Sequence, residues 1–488
     1  MNVVLRTDAS VTIGGGHAMR CLTLAGAMVA QGHRVAFACR AGSREVVPGL
    51  AGGACGVMTL PAELPIEAEP QAMAAFWPEG CDLLVVDHYG RDARFETPCR
   101  GWAKKILVID DLADRPHDCD WLLDHTLGRR DSCYAGLTPA GCRMLLGTDH
   151  LLLRPAFARH RCATLARRRE RRSGRLLVTL GMTDANNVTA RVLDGIVRAQ
   201  VDAEVDVVLG RSAPFVDAVR QQAENMSRKV TLHVDAGRMH QLMGAADLAI
   251  GAGGTSAWER CCLGLPTLTL ILADNQKLVT SALSEANAAL PCDTDNLPRL
   301  LGDLWRDSQG LRRMGEAAAR LCDGLGAPRS VLGLWPETAR DGAPIGLRPA
   351  TLEDAHLVWT WQQEPRTRQF ARNPRPPALE EHRQWMRARL ADPGSVFNLI
   401  MHGDRPAGVL RFDRLPDETD ETYEVSILVA PDRYRLGLAG GALRMGRFLL
   451  PWARHLAWIR PENDASLTLF QRAGYRRLDH YRHTLEPE

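Results

Sequence analysis

The chain has 488 residues, 45% of them hydrophobic and 24% charged, with a formal net charge of +2. That balance excludes a largely disordered chain, a collagen-like or coiled-coil rod, and any general attraction to nucleic acid or anionic membrane. At about 100–200 residues per domain, the length asks for three or four structural units.

The opening segment MNVVLRTDAS is interrupted by Arg6 and Asp8, so no signal peptide is expected. No apolar run approaches the roughly 18 residues of a membrane span, and a cytoplasmic protein is the expectation. Only Lys104, Lys105, Lys229 and Lys277 are lysines among 60 basic residues, which reads as genomic bias toward arginine. Thirteen cysteines with no Cys-x-x-Cys pair read as thiols of a reducing compartment, not as disulfides or zinc ligands.

In chain order, Val3–Arg6 reads as a strand, followed by a Gly-rich turn and a helix from about His17 to Gln31. Val35–Cys39 is the next strand. LLVVD at 83–87 and ILVID at 106–110 are continuous apolar runs, the mark of strands buried on both faces. This βαβ alternation predicts a doubly wound parallel sheet over residues 1–157. The basic stretch at 158–174 reads as a solvated linker. Alternation resumes over 175–335, with strands at Leu176–Leu180, Val205–Leu209, Val230–Val234, Leu248–Ile250 and Thr267–Leu272. A second linker is expected at 336–344 (PETARDGAP). From residue 345 to 488 the pattern changes to a small α+β unit, with strands at Ile345–Arg348, Val396–Met401, Ala407–Phe412 and Tyr423–Val429.

Three places carry candidate chemistry. After the first strand, Gly14, Gly15 and Gly16 precede His17. The glycines let a backbone approach a ligand, and the positive end of a helix favours a neutral imidazole, which can serve as a general base. Asp8, across the same turn, is expected to orient His17 or to contact a sugar hydroxyl. In the second unit, a strand runs into Gly251-Ala-Gly253-Gly254-Thr255-Ser256 and a helix holding Glu259, an arrangement suited to a diphosphate with Glu259 on ribose hydroxyls. In the third, Tyr423–Val429 is followed by a turn rich in glycine, Arg435 to Gly441, whose amides suit a pyrophosphate. His117, Cys119 and Asp120 lack a second spaced pair, so no metal site is expected.

The segments LRTDASVTIGGGHAMRCLTLA, VVDHYG, ILVIDDLADRPHDCDWLLD, LLLRPAF, VTLGMTDANN and AIGAGGTSAWERCCLGLPTLTLILADNQ occur in that order over the first 290 residues. Together they resemble the UDP-sugar hydrolase family of pseudaminic acid biosynthesis, which acts on UDP-2,4-diacetamido-2,4,6-trideoxy-β-L-altropyranose and has the GT-B fold. The resemblance implies that His17 activates water. It places Gly253, Gly254, Thr255 and Ser256 on the diphosphate, Glu259 on the ribose, and Asn275 and Gln276 near the sugar, with Gly15 and Gly16 lining the site. Met182 stands where that family usually carries a second glycine.

The C-terminal stretch resembles the GNAT acyl-CoA N-acetyltransferase superfamily, in its branch acting on sugar nucleotides. The resemblance rests on RPATLEDAHLVWTWQQEP, LEEHRQWM, the turn from Arg433 to Gly441, and RPENDASLTLFQRAGYRR. It implies acetyl-CoA as co-substrate, held by Val429, Arg435, Gly437, Leu438, Ala439, Gly440, Gly441 and Asn463. Leu438 replaces a glycine of the pyrophosphate loop and Phe470 replaces the usual tyrosine, so a phenolic acid is missing there; Glu424 or Tyr423 is the candidate for taking the amine proton. The expected fold is therefore a GT-B-like pair of Rossmann-type domains followed by a GNAT domain. The expected function is bifunctional: N-acetylation of a 4-amino UDP-sugar, then hydrolysis to UDP and free sugar, with no metal, nucleic-acid or membrane partner. A glycosyltransferase with a GNAT appendage, and a hydrolase with an inert C-terminal module, are the alternatives. Oligomeric state is not legible.

Overall fold

The computed structural model describes residues 1–10, 12–50, 56–170, 173–416 and 421–488. It divides into two compact units, Met1–Ala327 and Pro328–Glu488.

The first unit holds two parallel sheets. One contains β1 (Asn2–Thr7), β2 (Arg34–Arg40), β3 (Gly56–Leu60), β4 (Leu83–Asp87), β5 (Ile106–Ile109), β6 (Trp121–Asp124) and β7 (Arg143–Leu146), in the order β3-β2-β1-β4-β5-β6-β7. The other contains β8 (Arg175–Thr179), β9 (Glu204–Leu209), β10 (Val230–Val234), β11 (Leu248–Ala252), β12 (Thr267–Leu270) and β13 (Leu290–Pro291), in the order β10-β9-β8-β11-β12-β13. Every residue of β4 and β5 is buried, as their uninterrupted apolar sequences require. In each sheet the winding reverses once, at β1/β4 and at β8/β11. Such switch points open a crevice at the carboxyl ends of the strands, where ligands bind. The two crevices touch: a Cβ built on Gly16, after β1, would lie 3.1 Å from the Thr255 hydroxyl, after β11.

The basic stretch expected as a linker is instead a helix, Pro155–Glu170; its continuation at 171 and 172 lies outside the described residues. Arg161 and Arg168 are not solvated spacers. Arg168 donates to the carbonyls of Met243, Ala246 and Leu263, and Arg161 to those of Cys262 and Ala319. Four of these carbonyls end the helices Met239–Ala245 and Ser256–Cys262, where no backbone donor remains for them. A guanidinium supplies several donors at once, so arginine answers the need at each helix end.

The second unit is one eight-stranded sheet. Its strands are β14 (Glu337–Thr338), β15 (Pro344–Pro349), β16 (Ser395–His402), β17 (Arg405–Arg414), β18 (Thr422–Val429), β19 (Arg454–Trp458), β20 (Arg476–Arg477) and β21 (Arg482–Leu485). The order is β14-β15-β16-β17-β18-β19-β21-β20. The second expected linker belongs to this sheet: β14 pairs with β15, Glu337 opposite Ile345. Helices Ala355–Gln362 and Leu379–Ala391 cover one face through Val358, Trp361 and Met386 against Phe397, Leu399 and Val409. Helix Leu438–Leu449 covers the other, with Gly446 against Leu410 and Phe412. Two of the twelve described cysteines, Cys119 and Cys142, approach to 3.6 Å, and none of the twelve is in a disulfide; Cys55 lies outside the described residues.

Candidate functional site

His17 is the second residue of helix Gly16–Ala30, which starts at the end of β1 without a side-chain cap or an acidic residue in its first turn. Its Nδ1 lies 2.6 Å from Oδ1 of Asp87, the last residue of β4. A carboxylate has no proton to donate, so Nδ1–H donates to Asp87 and Nε2 carries the lone pair. Arg20, one turn on from His17, grips the same carboxylate with Nε at 2.7 Å and Nη2 at 2.6 Å, and reaches Asp111 with Nη1 at 2.8 Å. Its 3.1 Å approach to His17 Nδ1 is therefore a contact and not a hydrogen bond. Burial alone would raise the Asp87 carboxyl, but the charge and hydrogen bonds of Arg20, with the hydrogen bond from His17, hold it well below the usual range. The result is an imidazole fixed in one tautomer beside a buried, ionised carboxylate.

Asp8 does not orient His17. Arg6 donates to it at 2.8 Å, the amide of Arg40 at 2.7 Å, and His88 Nε2 lies 3.4 Å away. It belongs to a buried ionic frame in which Glu69 accepts from Arg6, Arg40 and Arg91. This frame fixes the floor of the turn, and Asp87 takes the role expected of Asp8. The ring of Tyr89 stands edge-on to His17 with centroids 4.5 Å apart, and burial, then Asp111, keeps its phenol protonated by raising its pKa.

The second half supplies the facing wall. Gly253 has no room for a side chain unless a neighbour shifts, since a Cβ there would sit 2.3 Å from Thr280 Oγ1. The loop is held from beneath by buried Arg260, which donates to Ala252 O at 2.7 Å and Ser256 Oγ at 3.2 Å. Gly254, Thr255 and Ser256 lead into helix Ser256–Cys262, where the amide of Ala257 donates to Gly254 O at 2.9 Å and that of Trp258 to Thr255 O at 3.2 Å. Glu259 is paired with Arg154 at 2.9 Å, and burial nonetheless raises its carboxyl pKa. Asn275 Nδ2 donates to Tyr89 Oη at 3.2 Å, bridging the two halves, and Gln276 Oε1 accepts from the amide of Leu272. Met182 fills the position of the missing glycine: a Cβ on Gly15 would lie 2.9 Å from its Sδ. The structure thus brings His17, Gly15, Gly16, Gly253–Ser256 and Asn275 to one crevice, with Gln276 bracing its edge. It adds Asp87, Arg20, Tyr89 and Asp111, to which sequence reasoning gave no role.

In the second unit, β18 pairs with β19 only from Thr422 to Val425. Beyond that point Ser426–Val429 keep their β17 partners alone, leaving a wedge between the strands. Arg435 (φ +68°) and Gly437 (φ +83°) take the left-handed turn into helix Leu438–Leu449. Arg340 holds that turn through the carbonyls of Leu436 and Arg435. Three expected ligand residues have other work. Leu438 is buried, Gly441 lets Ile345 pack against the helix, with a Cβ 2.7 Å from its Cδ1, and Asn463 caps helix Asp464–Arg472 through Ser466 N. Val429, Ala439 and Gly440 remain partly exposed around the wedge and turn. Phe470 is buried edge-on against Tyr475, whose hydroxyl faces His455 at 3.4 Å. Glu424 sits one residue before the strands part and accepts from Arg372 at 2.9 Å.

Among the described residues no group of three or more His, Cys, Asp or Glu is placed to hold a metal ion, and no helix is long and apolar enough to cross a membrane.

Comparison with known proteins gives each unit a relative. Residues 345–476 match the family model described as acetyltransferase (GNAT) domain. The chain is 25% identical over 287 residues to the UDP-2,4-diacetamido-2,4,6-trideoxy-beta-L-altropyranose hydrolase of Campylobacter jejuni, covering 58% of this chain and 97% of that protein. It is 20% identical over 500 residues to an uncharacterised protein of Methanocaldococcus jannaschii, covering 98% of this chain and 97% of the other, so the match spans both units. Among solved structures, Acinetobacter baumannii MurG covers 68% of this chain and 98% of its own, with a TM-score of 0.50 at 14% identity, a likeness of fold. The chain is thus a GT-B-type unit, homologous to that hydrolase, joined to a GNAT domain.

Proposed function

We propose that this fusion is a two-headed sugar-nucleotide enzyme whose GNAT domain prepares the substrate of its GT-B unit. The GNAT domain acetylates the free amine of UDP-4-amino-4,6-dideoxy-N-acetyl-β-L-altrosamine with acetyl-CoA. The GT-B unit hydrolyses the product, UDP-2,4-diacetamido-2,4,6-trideoxy-β-L-altropyranose, to UDP and the free sugar, a precursor of pseudaminic-type nonulosonic acid.

The observation that carries the hydrolytic half is the His17–Asp87 pair at the β1/β4 switch point, facing the Gly253–Ser256 loop. In this reading His17 Nε2 takes a proton from water as its oxygen bonds to the anomeric carbon. Asp87 stabilises the imidazolium that forms. The bond from that carbon to the diphosphate oxygen breaks with its electron pair, and charge gathers on UDP where Gly254–Ser256 amides face it. Glu259 takes the ribose, and Tyr89 with Asn275 and Gln276 takes the sugar. In the other half, acetyl-CoA lies in the wedge beside Val429 with its pyrophosphate on the turn from Arg435 to Gly440. The amine attacks the thioester carbonyl, Glu424 accepts the amine proton, and CoA leaves as a thiolate protonated by solvent, since Phe470 has no hydroxyl to give.

The test is hydrolysis of the pre-acetylated UDP-sugar in ¹⁸O-water. Label in the free sugar and none in UDP, abolished by His17→Ala, is the expected result. UDP release that needs an added acceptor would instead make the unit a glycosyltransferase.

A further inference from the structure

The face of the GNAT sheet that carries Glu424 also holds a group of side chains to which the acetyl-CoA reading gives no role. Register places Glu424 opposite Leu456, and Trp458 opposite Arg482, on the face that helices Ala355–Gln362 and Leu379–Ala391 only partly cover. Two guanidiniums converge on the Trp458 ring, Arg372 at 5.0 Å and Arg460 at 5.9 Å from its centroid. Tyr481 stacks on the same indole at 5.4 Å with a 14° tilt and is 43% exposed. The neighbouring cations are neutralised: Arg411 by Asp413, Arg375 by Glu381, Arg482 by Asp479. Among the described residues Arg460 has no such carboxylate; its guanidinium donates to the carbonyl of Ala371, and its buried Nε has no partner. Arg372 has a single carboxylate, Glu424.

One arginine with no carboxylate among the described residues and one whose carboxylate is Glu424, flanked by an exposed aromatic stack, form the chemistry that recognises a nucleoside diphosphate: guanidiniums for the phosphates and a ring for the base. We propose that Arg372 and Arg460, over Trp458 and Tyr481, are the clamp by which the GNAT domain holds the nucleoside diphosphate of its acceptor, and that filling it draws Arg372 off Glu424. The inference rests on the acetyl-transfer reading above. Arg372 occupies the carboxylate that the incoming amine needs, so the free domain is latched. A diphosphate competes for the same guanidinium and releases Glu424 as the amine arrives. Acetylation is thereby tied to an amine that carries the nucleotide.

The experiment uses the full chain and has two readouts. In calorimetric titration with UDP, the wild type is expected to bind two equivalents and the Arg372→Ala/Arg460→Ala variant one, with acetyl-CoA binding retained as the control for folding. Equal stoichiometry in both overturns the clamp. One equivalent in the wild type and none in the variant supports the clamp while removing UDP binding from the GT-B unit. In the acetyl-transfer assay, the variant should raise KM for the UDP-amino sugar at least tenfold and leave KM for acetyl-CoA unchanged. Arg372→Ala alone should acetylate the UDP-free amino sugar faster than the wild type does, because Glu424 is no longer covered; a slower or equal rate refutes the latch. A wild type that acetylates neither acceptor defeats the acetyl-transfer reading, and the titration still decides the clamp.

Discussion

Asp87→Asn keeps the shape of the side chain and removes the charge on which the hydrolytic site is built. The carboxylate is fully buried and takes four hydrogen bonds, at 2.6 Å from His17, at 2.7 and 2.6 Å from Arg20, and at 3.4 Å from the Cys21 thiol. The variant leaves Arg20, only 3% exposed, with Asp111 as its remaining carboxylate. Removing one partner of a buried ion pair costs about 3–5 kcal/mol, which for a unit of this size lowers Tm by about 4–7 °C. The chemical loss is larger. An amide presents both a donor and an acceptor to Nδ1, so the imidazole is no longer held in the tautomer with its lone pair on Nε2. It also loses the counter-charge that stabilises imidazolium. UDP release should fall about 10²–10⁴-fold. The acid behaviour follows from the sign of the shift. Asp87 has a folded pKa below its unfolded value of about 3.9, so its contribution is complete above that pH and is lost as pH falls below it. The stability gap between wild type and variant in chemical denaturation should therefore be constant from pH 7 to 5 and narrow below pH 4. UDP release within threefold of wild type, or a gap that does not narrow in acid, would refute the reasoning.

Three further outcomes follow from particular contacts. Gly253→Ala drives a methyl to 2.3 Å from Thr280 Oγ1 and should cost about 1–3 kcal/mol and weaken UDP binding; adding Thr280→Ala should restore part of both, as read by thermal shift with UDP. His125 is 5% exposed, and burial, then Arg20, brings its pKa down to about 4. Its unfolded state therefore takes up a proton first as pH falls, costing about 2 kcal/mol of stability between pH 6.5 and 5. His125→Asn should flatten the denaturation midpoint over that range, and an unchanged slope would contradict the assignment. Arg168→Ala strips the donors from three carbonyls and should destabilise the first unit by at least about 2 kcal/mol in urea titration.

The parallel, doubly wound sheets are legible in the chain to the extent that apolar runs and glycine turns are local signals. LLVVD and ILVID announce buried parallel strands, and GGGH and GAGGTS fall at the two switch points. The arginine-rich helix was not legible as a helix. Its sequence has no apolar stripe, and its place is decided by distant helix ends whose carbonyls need donors. The second linker was misread because a two-residue edge strand gives no periodicity. The sequence offers Asp8 to orient His17 or contact a sugar hydroxyl because it lies across the same turn, and Asp87 is not legible as a partner from local sequence; parallel pairing of β1 with β4, Thr7 opposite Asp87, brings the distant residue to the same crevice. A carboxylate closing an otherwise apolar strand was the available signal for Asp87. Arg20, three residues after His17 on the same helical face, could have been found by the same logic. In the GNAT domain the turn was legible, but Gly441 and Asn463 serve packing and capping, roles that glycine and asparagine share with ligand binding.

The coupling of the two sites is tested most directly by following one substrate through both. The purified chain would be given UDP-4-amino-4,6-dideoxy-N-acetyl-β-L-altrosamine with and without acetyl-CoA, and the products read by NMR and mass spectrometry. The account predicts UDP and a diacetamido free sugar only when acetyl-CoA is present, and accumulation of the acetylated UDP-sugar in His17→Ala. UDP release from the unacetylated sugar at the same rate without acetyl-CoA, or an amine left unmodified while acetyl-CoA is bound, would contradict it.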